Sequence, residues 1–468
     1  MLAPAPAGRF DRRLLAPMML GATLNPINTA IIAVALAPIG IALGAPASET
    51  VWLVSALYLT TAIGQPLVGR LVDIFGAKPL FLIGAVLVAV AGLMGVVAPN
   101  IWMLVAARVI LGIGTCAGYP AAMHLIRSEG ERTGMKSPAG VLTALAVTTQ
   151  TIAVVGPTLG GLLIALGGWR ATFAVNLPLG IASLVLGWIF MPRRSGLEPP
   201  KEARPRIDWL GIAAFAVAML ALLVFLLDVR VELLWVLAVA LAAGAVFVWW
   251  ELRAAEPFID LRVLRGNVPL LLTYLRSTLT ATVAYSFVYG FTQWLEDGRG
   301  LDPTTAGLIL LPAFGIGVIG SIVFGRRPEV WWKLIVGSAA QVAAGVLLLL
   351  ADASSPIWFL VLLMAVLGIP QGLNNLAIQN ALYFQADPAR IASSAGLLRT
   401  FLYLGAIVSS IASGAFFGER ATTPGLHELA WFVVAIAALF LGITAFDRSL
   451  ARVGRKLPPD IPEQPEPV

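Results

Sequence analysis

The chain is poor in charge. Asp, Glu, Lys and Arg make up 12% of its 468 residues, against 59% hydrophobic residues, and its mean hydropathy is +0.89. Soluble domains carry about twice that share of charge, so a set of soluble domains with solvated surfaces is excluded, and so is charge-driven disorder. One cysteine, Cys116, excludes a disulfide framework and a multi-cysteine metal site. Two histidines, His124 and His427, are too far apart in the chain for a zinc pattern. No cluster of nucleophile, base and metal ligand marks an enzyme, and no cofactor is implied. Acids are also missing from the long apolar runs: all 25 fall in loops, tails or run ends. What remains is an all-α polytopic membrane protein.

A membrane helix needs about 20 mostly apolar residues. The sequence predicts fourteen: 14–42, 50–72, 79–98, 101–126, 138–166, 169–191, 207–228, 232–251, 268–296, 304–325, 331–350, 356–384, 390–417 and 428–447. The first follows Arg9, Arg12 and Arg13 but is too long for a signal-peptide core, and is read as a retained helix. Of 31 Lys and Arg, 24 fall in one set of alternating loops and the two termini, four in the other set, and three inside spans. Basic loops stay cytoplasmic, so both termini are placed in the cytoplasm. The net charge of +6 is therefore a topology signal and not a nucleic-acid footprint. All thirteen Trp lie near predicted span ends, as in an aromatic belt.

The domain reading is 1–191 as a six-helix bundle, 192–206 as a cytoplasmic linker and 207–251 as an accessory helix pair. A second linker at 252–267, a second six-helix bundle at 268–447 and a disordered tail at 448–468 complete it. A weak internal repeat links the bundles. Gly69-Arg70-Leu71-Val72-Asp73, with Gly76 and Lys78 following, matches Gly325-Arg326-Arg327-Pro328-Glu329 with Lys333. Internal repeats are typical of transporters, with the substrate site between them. The glycines permit a tight turn, and Asp73 can accept bonds from Arg70 or from a helix N-terminus across the loop. Such a cluster can latch the cytoplasmic ends; the plainer reading is a rigid charged turn.

These motifs resemble those of the major facilitator superfamily, and within it the fourteen-helix drug:proton antiporter branch of multidrug efflux type. The 69–78 loop looks like motif A. Arg108 with Gly112 and Gly114 looks like motif B. Gly156-Pro157-Thr158-Leu159-Gly160-Gly161 looks like motif C, the antiporter motif. Trp169-Arg170-Ala171-Thr172-Phe173 is similar to the sixth-helix entry of this branch. The resemblance implies two six-helix bundles that rock around a midplane site, proton antiport, and an antiporter motif that seals the outer contact between bundles. It also implies an acid on the first helix, where this chain has Asn28, an amide that does not titrate.

The polar residues within spans outline a cavity. Tyr58 and Gln65 share a face of the second helix. On the ninth, Tyr285 and Tyr289 extend a polar stripe from which Arg276 points away, toward headgroups or another helix. On the twelfth, Gln371, Asn375 and Gln379 recur at intervals of four, as cavity lining or as bundle glue. On the thirteenth, Arg399 and Tyr403 share a small polar face that is expected to meet the pore. Arg108, with Asn28 and Gln150, either reads substrate or holds structure. His124 is either a proton-coupling group or a satisfied interfacial histidine.

The expected function is export of small amphiphilic compounds by alternating access, proton-coupled by resemblance. Two alternatives are an exporter of an anionic or lipid-like metabolite without proton coupling, and a transporter-like sensor or assembly protein. The expected setting is a bacterial inner membrane, as a monomer, with no nucleic-acid partner.

Overall fold

The computed structural model describes residues 10–50, 52–134, 138–193, 207–227, 230–259, 261–325, 327, 329–418, 420–447, 449–450 and 453. Among these the long elements are all helices. They run α1 Leu15–Leu43, α2 Trp52–Phe75, α3 Ala77–Val97, α4 Ile101–Thr115, α5 Gly118–Thr133, α6 Ala139–Gly167, α7 Asn176–Phe190, α8 Trp209–Leu227 and α9 Leu234–Glu251. They continue with α10 Val268–Tyr285, α11 Pro303–Phe324, α12 Trp331–Leu349, α13 Ile357–Gln385, α14 Ile391–Phe417 and α15 Thr423–Phe446. Most of the 192–206 linker and of the 448–468 tail lies outside the described residues, as does Arg326.

Among the described residues, ten helical stretches are long and apolar enough to cross a membrane. The fourteen expected spans are thus matched by apolarity in ten cases. Helices α2 and α10 fall short because Tyr58, Thr60, Thr61 and Gln65, and Thr273, Tyr274, Arg276 and Ser277, dilute their hydropathy. The same residues turn toward the molecule's interior. Helices α6 and α8 are apolar over the stretches whose side chains are described: Ala139–Ile152, Thr158–Gly167 and Trp209–Phe225.

Boundaries move where polar turns extend a helix. The fourth predicted span continues to Thr133, closed by Gly134 at φ +65°. It also breaks at Cys116–Ala117, because Pro120 has no N–H and its ring crowds the Cys116 carbonyl. The last helix starts at Thr423, earlier than expected, because the Thr422 side chain caps the Gly425 N–H and Pro424 fills the first turn. Helix α10 does not stop at Tyr285; it widens into π-helical turns at Ser286–Phe291 and Trp294–Gly298.

Helices α1–α7 form one half and α10–α15 the other. Within the first half α1 packs on α6 and α3 on α7; within the second, α11 packs on α13, α10 on α14 and α12 on α15. The halves meet along α2–α14 and α6–α11. Helices α8 and α9 pair with each other, and α8 lies along α2 and α14, placing Leu223 against Ala62 and Tyr403. The segment after α9 folds back: Phe258 packs on Phe215, and the Ile259 N–H donates to the buried Glu251.

The buried apolar clusters are asymmetric along the molecule. At the arginine-rich end one cluster draws from both halves, from Leu14, Phe81 and Ile126 to Leu382, Ile391 and Phe440. At the opposite end each half keeps its own cluster, around Ile39, Leu53 and Trp169 in the first and Phe287, Trp294 and Leu360 in the second. Most Trp side chains are exposed near helix ends, as a belt requires, with Trp188, Trp235 and Trp358 as examples. Trp294 is different. It is fully buried and donates to the Thr423 hydroxyl at 3.2 Å, because the π-helical turns rotate it into the core.

Candidate functional site

The seam between α2 and α14 is built from small residues. A Cβ on Gly69 would lie 2.4 Å from the Ala392 carbonyl oxygen, and one on Gly396 would lie 2.3 Å from that of Gln65. Only glycine allows these backbones to approach so closely. Further along, the Thr400 hydroxyl donates to the Ala62 carbonyl at 2.7 Å. Beyond it the Tyr58 and Tyr403 rings meet at 5.7 Å.

Asp73 closes the arginine-rich end of this seam. Its carboxylate accepts from the Ala392 N–H at 3.0 Å, from the Ser393 N–H at 2.8 Å, and from the Ser393 hydroxyl. These are the free donors of the first turn of α14, where the helix dipole also favours an anion. His124 Nδ1 lies 3.5 Å from the same carboxylate, and both side chains are buried. Arg70 sits in the electrostatic field of Arg390, Asp73, Glu256 and Glu251.

The rest of the predicted gate divides. Gly76, at φ +93°, makes the turn between α2 and α3. Lys78 does not join the seam; it donates to the Trp188 and Met191 carbonyls at 2.7 and 2.8 Å and so caps α7. The second repeat reproduces the sterics of the first. A Cβ on Gly325 would lie 2.2 Å from Thr143 Oγ1 of α6, so α11 and α6 close together at the same end. Glu329 does not repeat the cap: it neighbours Lys333, and its Oε2 has no hydrogen-bond partner among the described residues. Lys333 is fully buried and donates to the Arg327 carbonyl.

Above the closed seams lies a cavity of about 580 Å³ lined by both halves. It holds Tyr58, Gln150, Tyr285, Tyr289, Gln371, Asn375, Gln379 and Arg399 from the predicted set. Leu36 and Val54 carry it toward the opposite end. Tyr58 and Tyr289 hydrogen-bond across the halves, and Tyr285 stacks on Tyr289 at 5.3 Å. The widened turn after Tyr285 lies at this wall, where π-helical turns often mark functional sites. Amide donors are engaged internally. Gln150 donates to Ser321 at 3.1 Å, Gln341 and Asn374 to Thr280 at 2.9 and 3.1 Å, and Gln379 to Asn375 at 2.8 Å. Arg399 supplies the charge, its guanidinium 4.2 Å over the Tyr119 ring.

Four predicted cavity residues stand behind the wall. Asn28 donates to the Asn176 side chain at 2.7 Å and to the Leu24 carbonyl at 2.8 Å. Arg108, 2% exposed, donates to the backbone carbonyls of Leu53 and Asn28 at 2.7 and 3.3 Å. Gln65 and Tyr403 meet each other, and the Tyr403 hydroxyl donates to Asn25 at 3.2 Å. The lining also includes Asn374, which stands beside the predicted amides of the same helix, and Tyr119 and Gln341, which the sequence reading missed. Tyr119 had no polar stripe to signal it, and Gln341 sat among apolar neighbours.

Of two further expectations, the antiporter-motif contact departs from the structure and the pairing of Arg276 with another helix matches it. Gly156 and Gly160 seat α6 on α1, their Cβ positions falling 2.3 Å from Ala30 Cβ and 3.0 Å from the Ile31 carbonyl oxygen. The antiporter motif therefore packs within the first half rather than across the seam, and Gly161 has open space; the Pro157 side chain lies outside the described residues. Arg276 is fully buried and pairs with Asp447 at the end of α15, at 2.6 Å.

The family profile described as Major Facilitator Superfamily matches residues 18–410. The chain is 33% identical over 413 residues to an uncharacterized MFS-type transporter, YwoD, of Bacillus subtilis, covering 86% of this chain and 89% of the relative. It is 30% identical over 437 residues to a tetracenomycin C resistance and export protein of Streptomyces glaucescens, covering 88% and 77%. A crystal structure of the human organic anion transporter MFSD10 shares the fold, with a TM-score of 0.65 at 16% identity, over 92% of this chain and 99% of that one. With two helical halves around a shared cavity and a family match across most of its length, the chain belongs to the major facilitator superfamily of membrane transporters.

Proposed function

We propose that this protein exports small amphiphilic compounds from the cell by alternating access, as a drug or metabolite efflux transporter of the fourteen-helix type. The observation that carries this reading is the cavity itself: it lies between two halves whose apolar cores merge at one end only. The 24-to-4 imbalance of basic residues supports placing the merged end, and both termini, in the cytoplasm. The described conformation is then closed to the cytoplasm, with Asp73 as the latch. Relatives whose names refer to resistance and export support the outward direction. One chain completes the cavity, so a monomer suffices. The drive does not pass through a first-helix carboxylate, because the amide at Asn28 carries no proton to exchange.

A crosslink tests alternating access. A Cβ at position 325 would fall 2.2 Å from Thr143 Oγ1 across the second seam, so a parting of about 1 Å brings a cysteine pair at these positions to disulfide spacing, and the one native thiol, Cys116, is buried. Thr143→Cys with Gly325→Cys, oxidised in proteoliposomes, is expected to abolish dye flux, and reduction to restore it. Equal flux in both redox states sinks the rocking mechanism. No flux in either state, or in the wild type, favours a transporter-like sensor.

A further inference from the structure

Two arginines sit at membrane depth with opposite treatment. Arg276 is fully buried, and the fold supplies Asp447 as its counter-charge at 2.6 Å. Arg399 has no such partner. It faces the cavity, half-buried, with a tyrosine ring for support, and no carboxylate among the described residues comes within ion-pair distance. A ring face steadies a guanidinium but leaves its charge in place. Arg108 adds a second buried cation behind the wall; among the described residues it bonds only to backbone carbonyls, and its Nη2 has no partner. The described lining contains no Asp or Glu at all. The core between the halves is therefore electropositive, in a setting where uncompensated charge is costly and marks a substrate path.

We infer that the missing counter-charge arrives with the substrate: the cavity is a site for organic anions, amphiphiles with an aromatic or aliphatic body and a carboxylate or sulfonate head. Arg399 binds the head, held in place by Tyr119. Tyr58, Tyr285 and Tyr289 pack against the body, together with Phe314 and Leu402. This inference rests on the exporter reading and adds a substrate class and a driving force to it. An anion leaving a cell that is negative inside moves down the electrical gradient. For one charge across 100 mV the advantage is about 50-fold at equilibrium, the equivalent of about 2.3 kcal/mol. Export of this kind needs no proton-carrying acid in the cavity.

The test uses full-length protein in proteoliposomes and three probes with one skeleton: 2-naphthalenesulfonate, neutral 2-naphthalenesulfonamide and the 2-naphthyltrimethylammonium cation. Flux is read above that of protein-free liposomes, with a potassium diffusion potential imposed and no pH gradient. Sulfonate efflux is expected to dominate and to rise with an inside-negative potential. Arg399→Gln is expected to lower the sulfonate-to-sulfonamide flux ratio at least tenfold, and Arg399→Lys to restore part of it. Charge selection by the wild type is informative even if the variants fold poorly. Flux of the cation or the sulfonamide without the sulfonate overturns the anion site and leaves the exporter reading standing. Sulfonate flux indifferent to potential overturns the electrical drive. If no probe moves, both the inference and the exporter reading fall.

Discussion

The α2–α14 seam yields a sharp steric prediction through Gly396→Ala. The added Cβ would sit 2.3 Å from the Gln65 carbonyl oxygen, 2.6 Å from its carbonyl carbon and 2.9 Å from Pro66 Cα. All three are backbone atoms, so no side chain can rotate away. An ordinary carbon-to-oxygen contact is about 3.3 Å, so the two helices must part by about 1 Å. That movement stretches the 2.8 and 3.0 Å bonds that Asp73 accepts from the start of α14 beyond good hydrogen-bond geometry. Overpacking costs about 1–3 kcal/mol, which is about 5- to 150-fold in the balance between two states. The cost falls on the described, closed arrangement of this end alone, because the two helices belong to different halves. Spin labels on the arginine-rich ends of α5 and α13 should show a longer distance becoming dominant, while each half keeps its stability. Gly414→Ala on the same helix is the control, since its Cβ would meet nothing within 4 Å. A distance distribution in Gly396→Ala identical to that control refutes the seam as a gate.

Two other substitutions probe the buried polar groups. Asp447→Asn strands the fully buried Arg276, which is expected to cost about 3–5 kcal/mol, read by thermal denaturation. Burial alone would raise the Asp447 carboxyl, but bonds from Ser449 and Arg276 and the arginine's charge outweigh it and hold it below its usual range. Its contribution is therefore full above the ordinary carboxylate value of about 4 and is lost as pH falls through the lower folded value. Wild-type melting should fall there more steeply than that of Asp447→Asn. Asn28→Asp replaces a donor to Leu24 and Asn176 with an acceptor at a site 3% exposed. The expected result is a loss of about 1–3 kcal/mol with no gain of substrate-dependent pH change in proteoliposomes; a new proton flux would show that the acid reaches the cavity.

Periodicity made much of the architecture legible. It placed the helices to within a few residues, and it turned Arg276 away from the Tyr285–Tyr289 stripe, as its pairing with Asp447 requires. It placed Arg399 on a small polar face, and Arg399 meets the cavity, while Gly396 and Tyr403 of the same face pack into the seam. Phase says which way a side chain points and nothing about how far the space extends. Asn28 and Arg108 point inward and are absorbed by Asn176 and by backbone carbonyls before reaching the cavity. Tyr119 became legible only through the guanidinium stacked on it from the other half. Helix ends escaped the hydropathy reading where caps set them, as at Gly134 and Thr422.

The scarcity of charge, by itself, determined that this chain is a bundle of membrane helices, that no acid stands at the middle of any of them, and that Asn28 cannot exchange a proton. These are properties of residue identity and local spacing. Only the tertiary structure decided that Asp73 caps a helix beginning 318 positions later, at Ile391, that Gly325 closes on Thr143, and that one arginine has a carboxylate while another faces open space. Those outcomes depend on how the two halves dock. Docking is set by backbone approach and by the reach of side chains across a seam, and neither is written into the periodicity of any one helix.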